Sequence, residues 1–281
     1  MAVPSGSRRP LYPRVYGCPR PAPDGALSGW IMLVAAAKRA PVREVLRSWN
    51  YRIPDAYAAD TCRHIPPLSA MAITSFASPR QLAELHWSGQ SLLAEPTFAC
   101  LTTHSTGRNI HRYCPLCLQR DQIPYLRLSW RVAFQLMCPE HHCLLLEKCP
   151  SCGKAVDGAK YHDERMRMGI DGLFRLCPHC SADLAAAPVV RAEERLQRHL
   201  FRAQQHLWQL VRQPFFRHPK LGTVSSAKIF ESFVEKPNGG EAVSAELGTS
   251  YRGVDFRRIL VNHFAEVSEI FSKSAWLPDI R

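Results

Sequence analysis

Four short pairs of metal-binding residues occur between residues 114 and 180. In each pair two residues separate the ligands, and proline follows the first cysteine. A gap of two residues lets one tight turn direct two ligand atoms at a single ion, and two such turns complete a tetrahedron. Thiolate and imidazole ligands favour zinc. The pairs are Cys114 with Cys117, Cys138 with His141, Cys149 with Cys152, and Cys177 with Cys180.

These eight ligands predict two zinc ions. If neighbouring pairs combine, one site has three cysteines and a histidine and the other has four cysteines. Crossed pairing satisfies the spacing equally well, so the combination stays open. His142 and Cys143 are alternative ligands, but His141 preserves the two-residue gap. Four protein ligands leave no coordination position for a substrate, which indicates structural rather than catalytic ions.

Composition bounds the class of protein. The chain has 281 residues, 11 cysteines and a net charge of +12. Because the N-terminus lacks a signal-peptide pattern, we expect a cytoplasmic protein with reduced thiols rather than disulfides. No apolar run reaches the roughly 20 residues of a membrane span, so we expect no membrane partner. The arginine surplus favours nucleic acid or another acidic surface as partner, although it is also compatible with solubility alone.

The segment before the cysteine pairs predicts a helical N-terminal domain over residues 24–105, preceded by a proline-rich arm over residues 1–23. Apolar residues recur at helical spacing, and the last two predicted helices are joined by a tight turn, which indicates a helix-turn-helix-like unit. The predicted helices begin near Asp24, Pro41, Leu68 and Ser78.

The remaining chain predicts a double zinc module over residues 106–186, in which short strands at 144–146 and 173–176 run into cysteine pairs as in zinc ribbons. Residues 187–219 predict a basic amphipathic helix. Residues 220–281 predict a linker followed by a C-terminal amphipathic helix that begins near Tyr251. The expected fold class is therefore mainly α with small β zinc ribbons.

Two groups of arginines are candidates for nucleic-acid or partner contact. Arg127 and Arg131 lie beside Trp130, and mixed aromatic and arginine residues are typical of surfaces that stack bases and bind phosphate. The alternative is that Trp130 fills a small core beside zinc and the two arginines are solvated. The second group lies on the predicted basic helix, which either contacts DNA or a partner or packs on the zinc module with a solvated face; its members are Arg195, Arg198 and Arg202.

The central pattern resembles the TniQ/TnsD family of transposon target-selection proteins. The opening segment, Pro23-Asp-Gly-Ala-Leu-Ser-Gly-Trp30, is also similar to the first helix of that family. The central resemblance rests on Tyr113-Cys-Pro-Leu-Cys117, Pro124-Tyr125, Arg127-Leu128, Trp130-Arg131, Cys138-Pro-Glu-His141, Leu145, Cys149-Pro-Ser-Cys152-Gly153 and Leu176-Cys-Pro-His-Cys180.

The resemblance implies an adaptor that does not itself cut or join DNA. Such a protein recognises target DNA, or a targeting complex bound there, and recruits the AAA+ ATPase of the transposon, which brings in the transposase. The zinc ligands of the family carry over to the eight residues of the four pairs. The expected location is the bacterial cytoplasm, at the nucleoid, and a homodimer is one open oligomeric state.

Two other functions compete with the adaptor. The run His162-Asp-Glu164 ahead of Cys177 and Cys180 resembles a zinc deaminase signature, but Leu176 stands where that signature requires proline. A zinc-ribbon transcription regulator would share the charge and the metal, and it would bind promoter DNA without an ATPase.

Overall fold

The computed structural model describes residues 19–60, 65–75, 77–86, 104–105, 108–109, 111–132, 135–158, 161, 170, 172–192, 194–212, 215–218 and 222–225. Its α-helices are α1 (Leu27–Lys38), α2 (Val42–Ser48), α3 (Leu68–Thr74), α4 (Pro79–Glu84), α5 (Pro115–Arg120) and α6 (Glu194–Arg212). Its strands are β1 (His104–Ser105), β2 (Arg108–Asn109), β3 (Phe215–His218) and β4 (Gly222–Ser225). Within this part, helices predominate, and none is long and apolar enough to cross a membrane.

Helix α1 is the centre of the larger hydrophobic core. Every residue from Leu27 to Ala36 is buried, as expected of a helix that is apolar on all sides. It packs against α2 and the 3₁₀ helix Ala56–Asp60. The carboxylate of Asp60 accepts hydrogen bonds from the backbone nitrogen and the hydroxyl of Ser28, at 2.8 and 2.5 Å. This pair fixes the 3₁₀ helix against the first turn of α1.

The start of α1 differs in detail from the predicted start near Asp24. Ala26 occupies the N-cap position, without a side-chain cap. Its backbone N–H donates to the carbonyl of Leu126 at 2.7 Å, so a distant segment satisfies this backbone donor. The Asp24 carboxylate lies 3.2 Å from Nε of Arg127 and accepts a hydrogen bond from the Tyr125 hydroxyl at 2.7 Å. Asp24 therefore joins α1 to the zinc-module segment instead of capping the helix.

The next three helices begin close to the predicted positions. Helix α2 follows Pro41, and α3 begins at Leu68. Helix α4 begins after Ser78 with a capping box, in which Ser78 and Gln81 each bind the other's backbone N–H through a side-chain oxygen. Helices α3 and α4 pack together; a helix-turn-helix role for them stays a prediction.

The extended segments around the cysteine pairs form isolated bridges and not the predicted strands. Residues 172–175, where the second strand was expected, form turns. Each segment reverses direction within a few residues to present its ligands, so the pairing does not extend into a ladder. The bridges pair Tyr113 with Leu146, Met137 with Leu144, Lys148 with Ala155, and Leu176 with Asp183.

The segment after the last cysteine pair also departs from a single helix. Asp183 caps a 3₁₀ helix at Leu184–Ala186, and α6 begins only at Glu194. Pro188 lies between them, and its missing N–H prevents a continuous helix. Strands β3 and β4 pair as an antiparallel hairpin, so residues 222–225 are not linker. The predicted C-terminal helix and most of the arm lie outside the described residues.

Candidate metal centres

The four residue pairs form two clusters from neighbouring pairs. In each cluster the four potential ligand atoms lie within 4.8 Å of one another. The sequential combination is therefore the one that the structure brings together, and crossed pairing is not. The first cluster contains Cys114, Cys117, Cys138 and His141, and the second contains Cys149, Cys152, Cys177 and Cys180.

The spacing of the ligand atoms fits tetrahedral zinc. A Zn–S bond of about 2.3 Å requires sulfur atoms about 3.8 Å apart at the corners of a tetrahedron. In the second cluster the Sγ atoms of Cys149 and Cys180 lie 3.7 Å apart, and those of Cys152 and Cys177 lie 3.8 Å apart. The donor set and its dimensions therefore suit zinc, and all four corners are protein atoms.

In the first cluster the histidine closes the set through one ring nitrogen. Nδ1 of His141 lies 3.3 Å from Sγ of Cys117 and 3.5 Å from Sγ of both Cys114 and Cys138. The Sγ atoms of Cys117 and Cys138 are 3.5 Å apart. These distances are slightly short of the edges of a zinc tetrahedron, and the arrangement is the same.

Three of the four pairs are built on one repeated turn. The backbone N–H of the first cysteine donates to the carbonyl five residues on, at 2.8 to 2.9 Å, and the N–H four residues on donates back to that cysteine's carbonyl. The residue four positions after the first cysteine, which follows the second ligand directly, takes a positive φ. Those residues are His142 (50°), Gly153 (67°) and Ser181 (61°).

The first pair uses a helix instead of this turn. Cys114 is the N-cap of α5, and Pro115 occupies the first helical turn, where its missing N–H costs no hydrogen bond. Cys117 then lies on the first turn of the same helix. The two-residue gap is the same in all four pairs, but the backbone of the first pair is helical, whereas the other three pairs use the repeated turn.

The two alternative ligands have other roles. His142 holds the left-handed position of its turn, and the ring of this exposed residue packs at a tilt against Phe201 of α6, with ring centres 4.9 Å apart. Cys143 is buried, with its Sγ 3.5 Å from that of Cys114, and its carbonyl accepts the Cys138 N–H. It therefore supports the first cluster from outside the tetrahedron.

A compact core holds the two clusters together. Trp130 is fully buried among the cysteines, as the sequence predicted. Tyr113 precedes a ligand of the first cluster, and its hydroxyl donates to the carbonyl of Lys148, which precedes a ligand of the second. Burial, followed by the thiolates of Cys149 and Cys177, raises the pKa of Tyr113. Tyr113 therefore remains a neutral hydrogen-bond donor between the clusters.

Arg127 is interior, which corrects the expectation of a solvent-facing side chain. It is 3% exposed and binds the carboxylate of Asp121 through two hydrogen bonds. Its guanidinium lies 4.4 Å from the ring centre of Tyr125 and 4.9 Å from that of Trp130. A phosphate group has no access to this site without local opening.

Arg131 is also buried, so the expectation that it lies on the surface is wrong as well. Its side chain is fully enclosed, with Nε 3.9 Å from the Asp60 carboxylate and the guanidinium 4.9 Å from the ring centre of Tyr57. Burial raises the pKa of Asp60, while Arg131 and Ser28 oppose that shift. Burial and then Arg131 lower the pKa of His111 well below its usual value, so this histidine is neutral.

The second group of arginines lies on α6. Arg198 and Arg202 are exposed, and Arg198 pairs with Glu194 one turn earlier. The side chain of Arg195 lies outside the described part. Two other residues of α6 are buried: Leu200, which is 5% exposed and belongs to the larger hydrophobic core, and Gln204, which is 2% exposed and binds the backbone of Leu136 and Met137. The sequence-predicted basic face thus remains available at two of its three positions.

Comparison with protein-family models gives a match over part of the chain. No curated protein matches the chain. The matched segment includes α1 to α5, the start of the zinc module and all four residues of the first cluster. Residues 17–145 match the TniQ family model, and this match supports membership of the TniQ family.

Proposed function

We propose that the protein is a non-enzymatic adaptor in the selection of DNA transposition targets. It links a target site, either DNA or a DNA-bound targeting complex, to the AAA+ ATPase of its transposon, and the ATPase brings in the transposase. The TniQ match is the observation that carries the proposal, because the TniQ domain is associated with transposition target selection.

The two clusters support a structural use of metal. The residues of each set would hold one zinc ion, which would supply folding energy by joining separate chain segments at the small core around Trp130. Each set provides four protein ligands, so neither leaves a position for a water or a substrate. Neither cluster therefore provides the open coordination position that metal-assisted hydrolysis or deamination requires.

The proposed surfaces for target and partner lie outside the clusters. The exposed arginines of α6 follow the zinc module and carry the proposed contact to DNA or to a DNA-bound complex. Arg127 and Arg131, by contrast, hold the two cores together. The adaptor function therefore predicts separable variants: interior ones that destabilise the protein and α6 ones that weaken target binding alone.

The test is capture of the ATPase by purified protein. Immobilised protein is mixed with the AAA+ ATPase of the same transposon, with and without target DNA, and bound ATPase is quantified. We expect specific capture of the ATPase, and no cleavage or joining of the target DNA by this protein. A protein that binds promoter DNA tightly and ignores the ATPase would instead be a transcription regulator, and the proposal would be wrong.

Arg198→Glu/Arg202→Glu is the variant for the target contact, and Arg80→Glu is a control at an exposed position on α4. We expect the double variant to capture the ATPase normally and to lose target binding. The control should retain both interactions. Loss of ATPase capture in the α6 variant would move the ATPase contact to this helix.

A further inference from the structure

A cavity beside α2 has the chemistry of an anion-binding site. Its volume is about 700 Å³, which is within the range of about 300 to 1,000 Å³ usual for ligand pockets. Arg43 and Arg47 lie one turn apart on α2, and Arg52 follows on the loop; all three line the cavity and are exposed. Within the described residues none of the three has an ion-pair partner.

One carboxylate counts against this positive charge, but it is already engaged. Asp55 lines the cavity, and its side chain accepts a hydrogen bond from the backbone N–H of Ala58 at 3.0 Å. Among the described residues, the lining carries three guanidinium groups and one carboxylate that accepts a backbone hydrogen bond. The other described residues of the wall are neutral and include the largely buried Tyr51, Tyr57 and Tyr161.

We propose that this cavity binds the phosphodiester backbone of single-stranded nucleic acid. Arginine forks bind phosphate oxygens in pairs, and side chains one helical turn apart are about 5 to 6 Å from each other, so Arg43 and Arg47 face neighbouring parts of one strand. A positively charged groove that follows the backbone is the electrostatic part of a single-strand binding site. A duplex also exposes phosphates, but it is stiff and convex and cannot follow a concave wall, whereas a flexible single strand can bend into it.

The inference rests on the proposed adaptor function. It adds to that function a direct contact between nucleic acid and the N-terminal domain. The interaction is measured without the ATPase. Failure of strand binding with intact ATPase capture would therefore overturn this inference alone, whereas failure of capture with intact strand binding would overturn the adaptor alone.

The experiment measures binding of labelled single-stranded DNA, single-stranded RNA and duplex DNA to the full chain over a range of salt concentrations. Arg43→Gln/Arg47→Gln is compared with Arg20→Gln/Arg80→Gln, which removes the same charge from exposed positions outside the cavity. We expect the first variant to lose about tenfold or more in single-strand affinity, and its salt slope to become shallower by about 1.4. The control should change neither.

A second variant separates the cavity from diffuse surface charge. Ile53→Trp fills the cavity without changing charge and should weaken single-strand binding comparably. Zinc content and circular dichroism identify a variant that has lost its fold. If either the arginine double variant or Ile53→Trp is unfolded, the binding result of the folded one tests the inference. Equal losses in both arginine pairs, no effect of Ile53→Trp, or equal binding of the duplex would overturn the inference. So would stronger competition by an acidic peptide than by an oligonucleotide.

Discussion

The carboxylate of Asp121 accepts two hydrogen bonds from the guanidinium of Arg127, at 2.8 and 3.0 Å. Asp121 is the C-cap of α5, the helix that carries Cys117 of the first cluster. Arg127 lies in the segment that bridges to Gly25 before α1, and it also pairs with Asp24. One guanidinium thus connects the helical core to the first metal cluster.

Replacement of Arg127 should therefore destabilise the protein. Arg127→Ala leaves the largely buried Asp121 carboxylate without its counter-charge, and breaking a buried pair in this way costs about 3 to 5 kcal/mol of unfolding free energy. Arg127→Lys keeps the charge but loses the paired hydrogen bonds, so we expect an intermediate loss. Denaturant unfolding measures both. Unchanged stability together with a fall in DNA affinity would restore the surface interpretation of Arg127.

Zinc content should distinguish ligands from neighbouring thiols. The wild-type protein should contain two zinc ions per chain, and Cys117→Ser and Cys180→Ser should each retain one. We expect Cys117→Ser to unfold more of the protein, because Cys117 is buried in the core with Trp130 whereas Cys180 is exposed. Elemental analysis and circular dichroism measure these effects.

Cys143→Ser is the matched control for that series. Its sulfur is close to the first cluster but outside the tetrahedron, so both ions should remain. Loss of one ion in Cys143→Ser, together with its retention in His141→Ala, would show that Cys143 is the fourth ligand.

Gln204 should control the docking of α6. Its Oε1 accepts hydrogen bonds from the backbone nitrogens of Leu136 and Met137, at 2.6 and 2.7 Å. Gln204→Leu leaves two buried donors without an acceptor, which costs about 1 to 3 kcal/mol for each. We expect faster amide exchange across α6 and at those two amides. Gln205→Leu, at the exposed next position, should exchange like the wild type; equal effects of both variants would contradict the docking function.

Gly158 should tolerate no side chain. A Cβ atom at this position would lie 1.6 Å from the hydroxyl oxygen of Tyr57, so Gly158→Ala must displace a buried ring, and overpacking of this kind costs about 1 to 3 kcal/mol or more. The double variant with Tyr57→Ala should be less destabilised than the sum of the single variants. Thermal unfolding of the four proteins tests this coupling, and strict additivity would contradict it.

The sequence predicted the starts of α2 to α4 because proline and serine act there through local backbone chemistry. The candidate ligands were equally visible, since the two-residue gap is itself a local constraint. The sequential combination was not visible, because spacing alone permits crossed pairs. Residue type also misplaced Asp24, Arg127 and Arg131, whose partners lie far away in the chain.

Long-range polar contacts explain most of what sequence reasoning missed. Arg112 belongs to no motif that the sequence analysis singled out, but it is 3% exposed and donates to the carbonyls of Val132 and Gln135. Gln204 looked like an ordinary polar residue of a basic helix. The local clue to the repeated turn was the glycine of Cys149-Pro-Ser-Cys-Gly153, because glycine favours a positive φ. His142 and Ser181 adopt the same conformation, which their residue types do not indicate.

The consecutive order of ligands within each cluster bears on how the protein is made. On the ribosome, His141 completes the first set while the second set still awaits synthesis up to Cys180. We therefore expect the first set to be able to bind its ion before the second set exists. The Asp24 carboxylate, in contrast, cannot form its ion pair until Arg127 has been synthesised.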